Sequence, residues 1–189
     1  MGHFNETICD CCVCPMQCAL EQLVGQDIDA IIVPIENNFS SATLIEVKDF
    51  IAFTSVGEIP ICQIAALNIG TSFTDIKLKP IKKSTGDCKC CEDPMTNLLN
   101  SMKGQFAQFE SIGFSLSPPG RVLDVGEGIT TVCFMGGFFS LASNCFLTRV
   151  IPSNQQQINN QSSFSGFGQF KKATPPLATK ASTKEKLLP

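Results

Sequence analysis

The sequence predicts a mainly β fold with short helices, built as two tandem small antiparallel β-barrels, each preceded by a short helix. Three observations point there. Short β-branched runs with turn residues between them recur along residues 28–150, the pattern of small bent antiparallel sheets. Each set of runs follows a stretch of about ten residues with one apolar helical face. An 18-residue motif also occurs twice.

That motif opens both units. Cys9-Asp-Cys11-Cys12-Val-Cys14-Pro15-Met16 through Gly25-Gln26 aligns without a gap on Cys88-Lys-Cys90-Cys91-Glu-Asp-Pro94-Met95 through Gly104-Gln105, at an offset of 79 residues. Eight positions are identical, three of them Cys, and Leu23/Met102 is conservative. A weaker echo follows at offset 78, where Ile45–Ile51 matches Leu123–Ile129 in apolar and acidic character. Internal repetition of this kind marks duplicated units.

The elements follow in order. Pro15 and Pro94 suit the first helical position, where no N–H is needed. Met16, Leu20 and Leu23 fall at i, i+4 and i+7 on one face, and Met95, Leu99 and Met102 repeat the spacing. Gly25 and Gly104 stand where a left-handed residue ends a helix. Strands are expected at 28–33, 42–47, 50–56 and 59–69, then at 106–115, 121–125, 129–135 and 138–150. Gly126, Gly128 and Gly136-Gly137 read as turns, and Asp124 and Glu127 beside them as solvent-exposed carboxylates.

The expected organisation is a mobile N-terminus at 1–8, a first unit at 9–83, a second at 84–151, and a disordered polar tail at 152–189. Lys77-Leu-Lys-Pro-Ile-Lys-Lys83 and the residues to Gly86 read as a solvated connector. The tail, rich in Gln, Asn, Ser and Gly with spaced Phe, lacks the apolar surface needed to offset chain entropy.

Composition excludes several function classes. The net charge is −3, with 14 basic and 17 acidic side chains. The tail holds five Lys and one Glu, so residues 1–151 carry −7. That sign opposes the phosphate term that dominates nucleic-acid binding. Arg occurs only at Arg121 and Arg149, and the stacking residues Tyr and Trp are absent. No apolar run approaches the ~18 residues that span a bilayer. Most of the 15 Phe are expected in the core, with one of Phe138 and Phe139 facing out as a candidate subunit contact. The one imidazole, His3, lies near the terminus, which leaves no partner for a Cys or Ser nucleophile. No phosphate-binding or dinucleotide motif is present. The expectation is therefore a non-enzyme, without cofactor, nucleic-acid or membrane partner.

Eleven cysteines dominate the chemistry. Such density means a disulfide scaffold in an oxidising place or a metal site in a reducing one, yet Met1–Ile8 has neither the basic nor the apolar region of a secretion signal. Eight thiols lie in two clusters, or heads: Cys9, Cys11, Cys12, Cys14 and Cys18, then Cys88, Cys90 and Cys91. Neighbours such as Cys11–Cys12 and Cys90–Cys91 point apart, so their disulfide partners lie on another segment or another chain. All eight are candidate bridge formers. The alternative is zinc on thiolates drawn from Cys9, Cys11, Cys12, Cys14, Cys88, Cys90 and Cys91, although two C-x₂-C pairs are not present. A thiol oxidoreductase is a further alternative, but no parallel-sheet pattern surrounds Cys11–Cys14. Cys62, Cys133 and Cys145 lie in apolar runs and are expected to be buried.

A short helix ending in Leu-x-Gly-Gln, four or five strands and the Ile59-Pro-Ile-x-x-Ile64 step resemble the Sm-like (SH3-type) small barrel. The Cys-x-Cys-Cys-x-x-Pro-Met heads and the polar tail resemble Cys-rich proteins of the Bacillus endospore surface: coat, exosporium or appendage base. The resemblance implies synthesis in the mother-cell cytoplasm, then oxidation into a cross-linked spore-surface layer. It further implies self-association, and bonding to other Cys-rich spore surface proteins. The expected function is that of a self-assembling, disulfide-cross-linked structural protein; the alternative is a zinc-binding cytosolic interaction module.

Overall fold

Helical periodicity at the start of each half produces α1, Val13–Glu21, and α3, Asp93–Ser101, the latter preceded by the single turn α2, Cys88–Cys91. The computed structural model describes residues 11–34, 38–71, 75–86, 88–112 and 114–153. The expected N-terminus at 1–8, His3, Cys9 and tail residues 154–189 lie outside them. Pro15 is the third residue of α1 and Pro94 the second of α3, both within the first turn, where a missing N–H costs nothing. Met16, Leu20, Leu23, Leu99 and Met102 are buried as one stripe per helix. Gly25 and Gly104 take φ of +84° and +82°. Their N–H groups donate to Leu44 and Val122 carbonyls at 2.7 and 2.8 Å, so each helix end is tied to the second strand of its half.

The strands are β1 Asp27–Ile32, β2 Phe39–Lys48, β3 Ile51–Thr54, β4 Gly57–Pro60, β5 Ala66–Gly70, β6 Phe106–Ser111, β7 Phe114–Val125, β8 Ile129–Phe134, β9 Phe139–Ser143 and β10 Leu147–Ser153. Three expected strands divide. The run 59–69 breaks at a 3₁₀ turn over Ile61–Gln63 into β4 and β5. The run 138–150 breaks at Asn144–Phe146 into β9 and β10, and 106–115 divides between β6 and β7. The β2–β3 turn falls on Asp49 and Phe50, both at positive φ, so Phe50 is a turn residue and not the start of a strand. Strand β7 also begins earlier than expected and absorbs Pro118-Pro119 at a bulge between Ala107 and Phe109 of its neighbour, a place where missing donors are tolerated. Strand β10 runs to Ser153, past the expected boundary of the tail.

The chain is mainly β, and its strands form one antiparallel sheet in the order β10-β6-β7-β8-β9-β5-β1-β2-β3-β4. Two separately closed barrels are not what the ladders describe. β5 pairs with β1 on one side and with β9 on the other, so the strands that would close each half on itself join the halves instead. Among the described residues, β10 and β4 are left as the two edges. Within each half the pairing order is the same: fifth strand, first, second, third, fourth.

Two apolar clusters lie along this sheet. One gathers α1 and β1–β5 residues but also takes Ile129 and Leu141 from the second half. The other gathers α3 and β6–β10 residues but takes Ile32 and Ala66 from the first. Across the join, Ile31, Leu67 and Leu141 form one cross-strand row, each 1% exposed or less.

The connector is docked rather than solvated. Ile76 is buried and Leu78 and Ile81 pack on the two clusters, while Lys77, Lys79, Lys82 and Lys83 face out. Gln22 accepts the Lys77 N–H at 2.9 Å and donates to its carbonyl at 3.0 Å. Glu127, expected to be exposed, is buried here. Its N–H donates to Lys79 at 2.9 Å and its carboxylate pairs with Lys82 at 2.8 Å. Asp124 is exposed as expected and pairs with Lys103 at 2.5 Å.

Leu141→Ala removes the second half's contribution to the row across the join. A fully buried leucine truncated this way costs about 2–5 kcal/mol, to be read as a fall in the urea midpoint with an unchanged slope.

Candidate cross-linking site

The two heads meet. Cys11 is bonded to Cys88, with Cα atoms 5.3 Å apart, and Cys12 is bonded to Cys145, with Cα atoms 6.2 Å apart. Adjacent cysteines therefore diverge, Cys11 to the second head and Cys12 to the β9–β10 turn. Both bridges lie within one chain and join the first half to the second. For Cys11, Cys12 and Cys88 the partner is thus another segment, not another subunit.

Local packing positions these sulfurs. Gly128, at φ +65°, lies under the first head: a Cβ there would stand 3.0 Å from both Cα and Sγ of Cys12, and closer still to the Cys11 carbonyl. Its carbonyl accepts the Asn144 N–H at 2.8 Å, which places Cys145, the next residue, beside Cys12. Asn144 is itself held through its side chain, accepting from Thr130 and donating to Thr96, each at 2.7 Å. Thr96 Oγ1 donates to Glu92, and Glu92 Oε1 also accepts the Gly128 N–H at 2.8 Å. The Ser84 hydroxyl bonds the other carboxylate oxygen at 3.3 Å. Glu92, Thr96, Thr130 and Asn144 are all 2% exposed or less. One buried polar chain thus runs from the second head to the turn that carries Cys145.

Electrostatics follow from that burial. Desolvation pushes the Glu92 carboxyl above its ordinary range, opposed by the Thr96 and Gly128 hydrogen bonds and assisted by its neighbour Asp93. Asp93 is held low, chiefly by its hydrogen bond from Ser84.

The remaining thiols lie elsewhere. Cys18, half-buried on α1, and Cys90, exposed on α2, are free thiols, as are exposed Cys62 and half-buried Cys133. Cys14 is half-buried on α1. Cys9 and the side chain of Cys91 lie outside the described residues. The burial expected for Cys62, Cys133 and Cys145 is not found. Cys62 and Cys145 sit at the turns that divide the expected strands, and a turn turns a side chain outward. Cys133 lies near the end of β8, its Sγ 3.6 Å from the Phe134 carbonyl. Of the two aromatics weighed for exposure, Phe138 is exposed and Phe139 half-buried.

Three of the seven alternative zinc ligands, Cys11, Cys12 and Cys88, are disulfide-bonded and so present no thiolate, the form that binds metal. Among the described residues no three His, Cys, Asp or Glu side chains converge as a metal-holding group, and no helix is long and apolar enough to cross a membrane. No protein-family model, curated protein or solved structure matches the chain.

Glu92, Thr96 and Asn144 were not marked by any motif, and Gly128 was marked only as a turn. The available signals were slight: Ser143-Asn144 interrupting an apolar run, and an acid at Glu92 where the first copy of the motif has Val13.

Because the folded-state carboxyl of Glu92 holds its proton more tightly than the unfolded one, folding is favoured below about pH 4.3 and that contribution is lost as pH rises through the folded pKa. Glu92→Gln is expected to flatten this part of the stability–pH curve, measured by denaturant titration between pH 4 and 8. Gly128→Ala is expected to destabilise by about 1–3 kcal/mol through left-handed strain and contact with Cys12, read as a lowered Tm.

Proposed function

We propose that this chain is a non-enzymatic structural protein that assembles with itself and is then cross-linked through disulfides into a layer or appendage of the endospore surface. The observation that carries the reading is the distribution of sulfur. Among the described residues two disulfides lock the halves together inside the chain, while Cys62 and Cys90 remain as exposed thiols on its surface. Exposed thiols on an oxidised scaffold are suited to bonds between molecules.

The cellular setting comes from the likeness of the Cys-x-Cys-Cys-x-x-Pro-Met heads to Cys-rich spore proteins. In that setting the chain is made in the mother-cell cytoplasm and oxidised late. Its partners are further copies and other Cys-rich surface proteins, with neither nucleic acid nor membrane involved. Each half is read as one copy of a repeated, Sm-like small-barrel unit, opened so that the two share a sheet. The equal pairing order in the two halves and the repeated head support that reading.

Purified reduced protein, reoxidised with a low-molecular-weight disulfide, is expected to give a ladder of dimers and larger species on non-reducing gels. The ladder should collapse to monomer on adding thiol. A single monomer band with Cys62 and Cys90 still titratable would overturn the proposal.

A further inference from the structure

The edges of the sheet are the counterparts, in the other half, of the two strands that meet inside it. Internally, the fourth strand of the second half, β9, pairs with the fifth strand of the first, β5. The free edges are β4, the fourth strand of the first half, and β10, the fifth strand of the second. We propose that copies of this chain join end to end by placing β4 of one against β10 of the next, repeating the internal join, and that a disulfide from Cys62 to the neighbour's second head then locks the contact. This rests on the assembly reading above.

The registers align residue by residue when the halves are taken as copies of one unit. Ile31 and Glu110 are related by the 79-residue offset of the heads. Leu67 is the cross-strand partner of Ile31, and Arg149 that of Glu110. Leu141 faces Thr131 across β8–β9, and Glu58 faces the corresponding Phe53 across β3–β4. The buried row Ile31–Leu67–Leu141 therefore has a counterpart: Glu110–Arg149, completed by Glu58 of the next copy. All three apolar positions are replaced, and the replacements alternate in sign. Arg149 already bonds Glu110, one contact at 2.8 Å, and its guanidinium is exposed. A second carboxylate opposite it is a matched cross-strand pair. A join of this kind uses a different patch on each partner, so it propagates.

Pro60 qualifies the ladder. It stands where Ser143 donates its N–H to the Ala65 carbonyl at 2.9 Å, so the contact between copies has one donor fewer. Proline on an edge hinders indiscriminate pairing, and the charge row then decides which edge is accepted.

The thiols fall in the same places. Cys145 lies two residues past the end of β9 and Cys62 two residues past the end of β4. Cys145 bonds Cys12, whose counterpart in the second head is Cys91. The expected bond is thus from Cys62 to the neighbour's second head, whose described exposed thiol is Cys90. The thiolate of Cys62 attacks a low-molecular-weight disulfide, forming a mixed disulfide and releasing one thiol. The neighbour's Cys90 thiolate then attacks the Cys62 sulfur and displaces the second thiol. Two electrons pass from the protein to the small disulfide, and the two protein protons end on the released thiols.

The test mixes ¹⁵N-labelled and unlabelled full-length chains, oxidises them with glutathione disulfide and maps the linked peptides by mass. Hybrid peptides joining Cys62 to the segment holding Cys90 and Cys91 are expected. Multimers in which Cys62 stays titratable, or bonds Cys62 of another copy, overturn this join while leaving assembly itself standing. Chains that remain monomeric overturn both. Glu58→Lys, at an exposed edge position, sets like charges opposite and should lower multimer yield about tenfold at low salt, with the monomer's Tm unchanged. Arg149→Gln should lower the yield less. Undiminished yield in both variants, with the Cys62 link retained, would remove the charge row from the account.

Discussion

The structure depends on β5 serving two ladders. Five residues, Ala66–Gly70, pair with β1 on one side and β9 on the other. An edge strand presents a row of unsatisfied backbone groups, and a buried unsatisfied group costs about 1–3 kcal/mol. Pairing with β9 satisfies that row and at the same time buries Leu67 against Leu141. The apolar clusters follow the join: each borrows residues from the other half, so neither core is complete without it. The halves are therefore one cooperative structure rather than two domains on a tether.

The disulfides act on a different quantity. They close loops spanning 77 and 133 residues, and in the chain-entropy picture a loop of such length contributes about 4–5 kcal/mol by restricting the unfolded chain. The two contributions do not add, because either bridge alone already ties the same halves together. The pairing itself is chosen by packing. Gly128 leaves room for the first head, Asn144 fixes the turn bearing Cys145, and the Glu92–Thr96 chain sets the second head against both. A buried carboxyl is a costly way to do this, and its raised pKa expresses that cost. It is retained where three donors converge on it, because an apolar side chain there would leave the Gly128 N–H without an acceptor.

Much of this was legible beforehand, and the gaps have physical causes. The helices were readable because Met16–Leu20–Leu23 and Met95–Leu99–Met102 keep one face; Gly25 and Gly104 take the left-handed conformation expected of them, but the helices end earlier, at Glu21 and Ser101. The mainly β content followed from Ile, Val and Thr in short runs. Turns without Gly were missed: Asp49-Phe50 adopts positive φ although phenylalanine disfavours it, and Ile61–Gln63 looks like strand while forming a 3₁₀ turn. The second of these misplaced Cys62, and the parallel error at Asn144 misplaced Cys145. Closure was misjudged because strand pairing between distant segments leaves no local signal. The docked connector was hidden by its lysines, which do face solvent while Ile76 and Leu78 between them do not.

The composition of the edges separates two demands that usually conflict. A leucine pair such as Leu67–Leu141 makes a strong internal join, but on open edges it would be an aggregation hazard for any exposed sheet. The outer positions carry Arg149 and Glu58 instead, and Pro60 withholds a donor. Such edges bind weakly, since exposed ion pairs contribute about 0–1 kcal/mol. Weak docking is sufficient if a later covalent step makes it permanent, because exchange between thiols depends on their being held together and not on the strength with which they are held. Register set by charge and permanence set by sulfur can then be separated in time. In the proposed assembly such a chain stays dispersed while reducing conditions last and becomes fixed once they end.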